Sequence, residues 1–114
     1  MPFKSLPART SGPFIQKTKT GYYKSSWAII SGNEMYVYQN KESSKHINLL
    51  ILSGARIYSD TRVEAMVEVK DNIKYSRLFE VRIKQCKLEF SLFFEKLQSV
   101  LEWKKALVDA SGDF

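Results

Sequence analysis

The alternation of hydrophobic and polar positions predicts β-strands along most of the chain. Apolar residues alternate with polar or charged ones over 63–69, 79–84 and 87–92. A period of two is typical of a strand with one buried and one solvated face. Shorter runs predict further strands, giving seven or eight in all, at 14–17, 22–30, 35–38, 47–52 and 55–59. The second of these shorter runs includes Trp27-Ala28-Ile29-Ile30, which is apolar on both faces, so we expect a central strand with Trp27 in the core.

Near the end of the chain the hydrophobic period changes from two to about 3.6. Phe93, Leu97, Val100, Trp103 and Leu107 recur at spacings of three and four. This spacing predicts an amphipathic helix over 93–110 with these side chains on one face. Glycine is a common residue directly after a helix, so Gly112 is predicted to stop it. A single helix that follows only strands has to bury its apolar face against a sheet or in the mouth of a barrel.

The length of 114 residues allows one domain with one core. All three prolines lie in the first 13 residues, among serine, threonine and arginine. We therefore expect a flexible arm over 1–11, a folded domain over 12–111 and a tail over 112–114. Turns are predicted where glycine, asparagine and aspartate interrupt the apolar runs, at 18–21, 31–33 and 71–72.

The net charge of +6 is concentrated near the start of the chain. Five cations, Lys4, Arg9, Lys17, Lys19 and Lys24, precede the first acid at position 34. A basic surface of this kind attracts polyanions, which are nucleic acids or anionic lipids. We interpret Lys4 and Arg9 as solubilising residues and the cluster over 17–24 as functional.

The residue types needed for catalysis or metal binding are scarce. Cys86 is the only cysteine and His46 the only histidine, so neither a zinc site nor an internal disulfide can be built. The sequence contains no glycine-rich phosphate loop, no nucleophile elbow and no apolar run long enough to span a membrane. We therefore expect no enzyme, no cofactor and no bound metal. Cys86 is expected to be an inert thiol within a strand, in a reducing compartment.

Four segments, in order, resemble the pleckstrin homology (PH) domain family. Gly12–Lys17 is similar to the opening Gly-x-Leu-x-Lys of the family, and Lys24–Ile30 resembles its Lys-x-Arg-Trp-Phe-x-Leu. Gly32–Tyr38 is similar to the following turn and strand, and Phe90–Leu107 resembles the end of the family, with Trp103 as its helix tryptophan. The resemblance implies a mainly β fold, a seven-stranded orthogonal antiparallel sandwich or partly open barrel capped by one C-terminal helix. It also implies that Trp103 is a buried core residue and not a binding residue.

In lipid-binding members of the family the first turn supplies basic side chains to a phosphorylated headgroup. Members that grip polyphosphoinositides place Lys, Lys-x-Arg and Tyr where this chain has Gln16, Lys24, Ser26 and Val37. The absence of arginine favours a simpler headgroup, because arginine binds phosphate through two parallel hydrogen bonds. The predicted headgroup contacts, for phosphatidic acid or a monophosphorylated inositide, are Lys17, Lys19, Lys24, Ser26, Lys41 and Lys45. Tyr22 is the predicted membrane contact.

The leading interpretation is therefore a monomeric module that binds anionic phospholipids reversibly at cytoplasmic membrane surfaces. The alternative is a scaffold domain that recognises a protein or peptide, with the alternating stretch 63–69 as an exposed strand edge. Nucleic acid is disfavoured as a partner, because the aromatic residues fall mostly on strand positions that look buried and the charge lies at one end.

Overall fold

The computed structural model describes residues 10–69 and 72–112, which form seven strands followed by one helix. The elements are β1 (Thr10–Lys17), β2 (Tyr23–Ser31), β3 (Glu34–Tyr38), β4 (Asn48–Ile51), β5 (Arg56–Val69), β6 (Asn72–Gln85), β7 (Leu88–Phe94) and α1 (Leu97–Ser111). The prediction of a mainly β fold with one C-terminal helix is confirmed.

Three boundaries differ from the sequence prediction. β1 begins at Thr10, inside the predicted arm, because its first residues pair with the end of β2. The runs 55–59 and 63–69 form the single strand β5, whose pairing with β6 shifts register between Tyr58 and Thr61. β6 begins at Asn72, well before the alternating run at 79, since its first residues pair with the far half of β5. Residues 1–9, 70–71 and 113–114, with the predicted turn residue Asp71, lie outside the described residues.

The backbone pairing closes a ring of five strands. β1 pairs with β2 along its whole length and with β7 at Ile15 and Phe93. β2 in turn runs parallel to the end of β5, with the pairs Tyr23–Val67 and Lys24–Glu68. The complete order is β1-β7-β6-β5-β2-β3-β4, so β4 is the terminal strand. This pairing places the turned end of the β1–β2 hairpin beside the far half of the β5–β6 hairpin.

The main hydrophobic core contains side chains from all seven strands and from α1. Trp103 is 5% exposed, and its indole stacks on the Phe94 ring with a centroid distance of 5.9 Å. Gly12 passes so close that a Cβ atom there would stand 3.6 Å from Cζ2 of the Trp103 indole. Trp103 is therefore a core residue, as expected, and it joins the helix to both the first and the last strand.

The helix starts later than its apolar periodicity predicts. Phe93 belongs to β7 and is buried there, while Leu97 is the first helical residue and is 56% exposed. The end of the helix is as predicted, since Gly112 has a φ of 77° and its N–H donates to the carbonyl of Val108 at 2.9 Å. Glycine adopts this left-handed backbone conformation without steric cost.

Two residues lie in surroundings that the sequence did not predict. Trp27 is on the opposite face of β2 from Ala28 and Ile30, so it is half-buried under the β3–β4 loop instead of in the main core. Its strand is nevertheless central, between β1 and β3, as expected. Cys86 is exposed in the tight β6–β7 turn with a φ of 54°, not within a strand.

A second, smaller cluster lies where the two hairpins meet. It draws a side chain from each strand of the ring, namely Ile15, Tyr23, Val63, Ala65, Val67, Leu78 and Phe93. The rings of Tyr23 and Phe93 pack edge to face with their centroids 5.0 Å apart. The cluster fixes the position of the β1–β2 turn relative to the β5–β6 hairpin.

Candidate functional site

The end of the β1–β2 hairpin carries the three lysines that the sequence predicted as headgroup contacts. Lys17 is paired with Tyr23, and Lys24 is paired with Gln16. Since successive side chains of a strand point to opposite faces, Lys17 and Lys24 lie on opposite faces of the hairpin. Lys19 is exposed in the turn between them. We call Lys17, Lys19 and Lys24 the turn lysines.

Local hydrogen bonds hold this turn in place. The backbone N–H of Thr18 donates to the carbonyl of Tyr22 at 2.7 Å, and its hydroxyl donates to the same carbonyl at 2.9 Å. The N–H of Gly21 donates to the carbonyl of Thr18 at 3.0 Å, and the φ of Gly21 is 91°, which favours glycine. The turn therefore projects Lys19 and the 50% exposed Tyr22 into solvent from a defined backbone.

The turn lysines have no ion-pair partner within the described part of the chain. The ion pairs there are Lys74–Glu95 at 3.1 Å, Arg77–Glu64 at 3.1 Å and Arg82–Glu89 at 3.6 Å. Because the turn lysines take part in none of these pairs, their charges are available to an external anion.

Ser26 does not belong to this surface. Its side chain is 4% exposed, and its hydroxyl accepts a hydrogen bond from Nε2 of Gln16 at 2.6 Å. A buried hydroxyl in this position cannot reach a headgroup in a membrane. The sequence placed Ser26 in the site because it occupies the arginine position of the family motif, whereas its strand face turns it inward.

Lys41 and Lys45 lie in the β3–β4 loop, apart from Lys24. The ammonium of Lys41 stands 5.6 Å from the centroid of the Trp27 ring, a cation–π contact. Trp27 is three residues beyond Lys24 on β2, which is about 10 Å along the strand and on the opposite face. Lys45 is exposed in the same loop. Lys41 therefore extends the face of Lys17 and not the face of Lys24.

The comparison with protein-family models gives one decisive match. The model of the PH domain matches residues 9–112, nearly the whole chain. The chain belongs to the PH domain family. A comparison with curated proteins gave no match. PH domains are general modules that often bind phosphoinositides or proteins, and they are typically non-catalytic.

Two kinds of feature are absent from the part of this PH domain that the structure describes. Over residues 10–69 and 72–112, no group of three or more histidine, cysteine, aspartate or glutamate residues could bind a metal ion. No helix in the same part of the domain has the length and apolar character needed to cross a bilayer.

The cavity beside Lys17 does not suit a phosphate group. It has a volume of about 370 Å³ and is lined by Gln16, Lys17, Tyr23, Val63, Glu80, Glu89, Phe90, Ser91 and Phe93. The carboxylate of Glu80 accepts a hydrogen bond from the Ser91 hydroxyl at 2.5 Å, and Glu89 is the ion-pair partner of Arg82. The carboxylate of Glu80, which belongs to none of the ion pairs of the described residues, offsets the charge of Lys17 and opposes binding of an anion. The turn lysines of this PH domain are thus charges on an exposed rim and not ligands in a pocket.

Sequence reasoning missed an exposed apolar surface that adjoins the turn lysines. Met66 is 46% exposed, Ile73 55% and Tyr75 60%, all on the β5–β6 hairpin. Met66 stands on the predicted solvated face of its strand, and the other two fall in a segment with no predicted element. The one available signal was the presence of large apolar residues at polar positions of the alternation.

Hydrogen bonding fixes Tyr75 on this surface. Its O–H donates to the carboxylate of Glu64, and Glu64 also pairs with Arg77 across the two strands. The hydrogen bond to Glu64 is the main cause of a raised pKa of the Tyr75 phenol, with a smaller contribution from burial. Glu64, Tyr75 and Arg77 thereby form one connected group at the base of the exposed apolar surface.

Proposed function

We propose that this PH domain binds anionic phospholipids reversibly at the cytoplasmic surface of membranes and recruits its protein there. The observation that carries the proposal is the set of turn lysines at an exposed hairpin end, without ion-pair partners in the described residues. Phosphatidic acid and a monophosphorylated phosphoinositide are the proposed headgroups.

The chemistry of the turn lysines supports a headgroup with a single phosphate. Lysine interacts with phosphate as a point charge, whereas gripping several phosphates in fixed geometry favours the planar fork of arginine. The family position for that arginine holds the buried Ser26, and the cavity beside Lys17 contains the carboxylates of Glu80 and Glu89. An exposed phosphate at a bilayer surface needs neither a pocket nor an arginine.

The expected strength of the charge contribution explains why the docking is reversible. Each lysine near an anionic leaflet contributes about 1 kcal/mol, so the turn lysines together contribute roughly 3 kcal/mol. This free energy corresponds to a dissociation constant between about 1 and 10 mM. Charge alone does not hold the domain on a membrane, so a further contact is needed.

Flotation with liposomes tests the proposal. Vesicles of phosphatidylcholine alone are compared with vesicles that also contain phosphatidic acid or one phosphoinositide, at fixed ionic strength. Lys19→Ala combined with Lys24→Ala is expected to weaken binding about 30-fold, because two charges correspond to about 2 kcal/mol.

The matched control is Lys104→Ala combined with Lys105→Ala, which removes the same charge from α1 instead of from the β1–β2 hairpin. Lys105 is exposed and Lys104 is partly exposed, and neither takes part in an ion pair among the described residues. The control variant is expected to bind as the parent does. Unchanged binding by the Lys19 and Lys24 variant, or an equal loss in the control, would refute the assignment.

Peptide recognition remains the second candidate, and β4 offers a better strand edge than the predicted stretch of β5. In β5, Val67 and Glu68 already pair with β2, and Val63, Ala65 and Val67 pack in the second cluster. β4 is the terminal strand, and its Leu49 and Ile51 are 39% and 49% exposed. We propose that a peptide partner would add as a strand beside β4. Chemical-shift changes confined to β4 on adding a partner, without liposome binding, would favour this function.

A further inference from the structure

One face of the β5–β6 hairpin presents large apolar side chains to solvent. Met66 and Tyr75 are direct cross-strand partners, and Ile73 is the partner of Glu68 two residues along each strand. Because residues two apart on a strand share a face, Met66, Ile73 and Tyr75 lie on one side of the hairpin. We call these three residues the apolar hairpin face.

The opposite side of the same two strands is buried. Ala65, Val67 and Leu78 belong to the second cluster, which also includes Ile15 and Phe93. The hairpin is therefore packed against side chains of β1 and β7, and the apolar hairpin face points outward from a supported backbone. Large exposed apolar side chains on one supported surface are typical of a binding site.

The apolar hairpin face is continuous with the turn lysines. β2 pairs with β5 at Lys24 and Glu68, and Glu68 pairs with Ile73 on β6. Lys24, Glu68 and Ile73 thus form one row across three strands, and neighbouring strands stand about 4.8 Å apart. Tyr22, which is 50% exposed, lies two residues before Lys24 in the turn.

We infer that the apolar hairpin face inserts into the interfacial layer of an anionic bilayer while Lys19 and Lys24 contact its headgroups. This inference rests on the proposed function and identifies the contact that charge alone does not provide. Exposed apolar and aromatic side chains next to cations are the combination that interfacial membrane segments use. The charge pattern favours a bilayer as the occupant, since Lys24 of the row and Lys19 of the turn need an anionic surface beside the apolar one.

The geometry also fixes which face of the domain meets the membrane. Lys24 is on the same side of the sheet as the apolar hairpin face, whereas Lys17 points to the opposite side of its hairpin. The Glu64–Arg77 pair at the base of the face is neutral as a unit. Lys24 and Lys19 are therefore the primary contacts, and Lys17, on the other face of the hairpin end, is a secondary contact.

Two measurements test the inference. Met66→Ser combined with Ile73→Ser is expected to weaken binding to phosphatidylserine or phosphatidic acid vesicles about 10-fold. The salt dependence of binding is expected to stay unchanged, because no charge is removed. In a Cys86→Ser background, an environment-sensitive dye on Ile73→Cys is expected to brighten with anionic vesicles, while the same dye on Leu101→Cys, which is exposed on α1, stays constant.

The outcomes separate this inference from the proposed function. If the parent binds and the Lys19 and Lys24 variant does not, but the serine variant binds normally and the dye at position 73 is silent, the insertion is wrong and the lysine site stands. Absence of binding by the parent to every anionic vesicle refutes both. A dye signal at position 73 that appears with a protein partner and not with vesicles also overturns the insertion.

Discussion

Glu68 lies between the turn lysines and the apolar hairpin face, and its substitution tests how charge on this surface affects membrane binding. It is exposed, it is the cross-strand partner of both Lys24 and Ile73, and it belongs to no ion pair in the described part of the chain. On an anionic membrane its carboxylate opposes the attraction of Lys24. If one charge near the leaflet changes the binding free energy by about 1 kcal/mol, Glu68→Gln should tighten binding about 5-fold. Glu68→Lys changes two charges and should tighten it about 30-fold.

The assay is co-sedimentation with phosphatidylserine vesicles over a range of ionic strength. The gain should shrink as salt is added, because exposed charges are screened over about 10 Å at 0.1 M. Glu34→Gln is the matched control, since Glu34 pairs with Ser31 at the other end of β2, about 23 Å along the strand from Lys24. An equal increase in vesicle affinity for Glu68→Gln and Glu34→Gln would show that only the net charge of the domain determines its binding. Weaker binding by Glu68→Gln would refute the docking orientation itself.

Three further predictions concern stability and titration. Trp103→Ala should lower the free energy of unfolding in urea by about 3–5 kcal/mol, since the indole is a buried plug, and a loss below about 1 kcal/mol would contradict that role. Gly112→Ala should cost about 1 kcal/mol in thermal unfolding because its φ is 77°, and an unchanged melting temperature would contradict this strain. Glu64→Gln should lower the pKa of Tyr75 toward the ordinary 10.0 in an ultraviolet titration. In the parent, the stability from this hydrogen bond is present below pH 10.0 and is lost as the pH rises through the raised pKa of Tyr75. Identical titration curves for the parent and Glu64→Gln would show that the bond to Glu64 does not cause the raised pKa.

Local pattern was sufficient for the elements whose character is set by their own residues. The alternation over 79–84 and 87–92 identified parts of β6 and β7, and Gly112 marked the end of α1. The burial of Trp103 followed from its helix face and from the family motif. In each case the relevant signal lies within a few residues of the position it describes.

The remaining features depend on pairing between distant segments. The first residues of β6 pair with the far half of β5, although the sequence analysis predicted no element at 73–78. The position of Ser26 inside the fold and the separation of Lys17 from Lys24 follow from the register of the β1–β2 hairpin. The sequence therefore located the lysine turn, whereas the apolar hairpin face required knowledge of which strands are neighbours.

The closed ring of strands has a consequence for how the chain folds during synthesis. β1 can pair with β2 early, but its partner at Phe93 and the indole that packs over Gly12 are made only after the other strands of the domain. Contacts between such distant positions delay completion of the fold. On the ribosome, the nascent domain therefore exposes the apolar side chains of its first hairpin until β7 and α1 have emerged, and this is the period in which a chaperone would have to shield it.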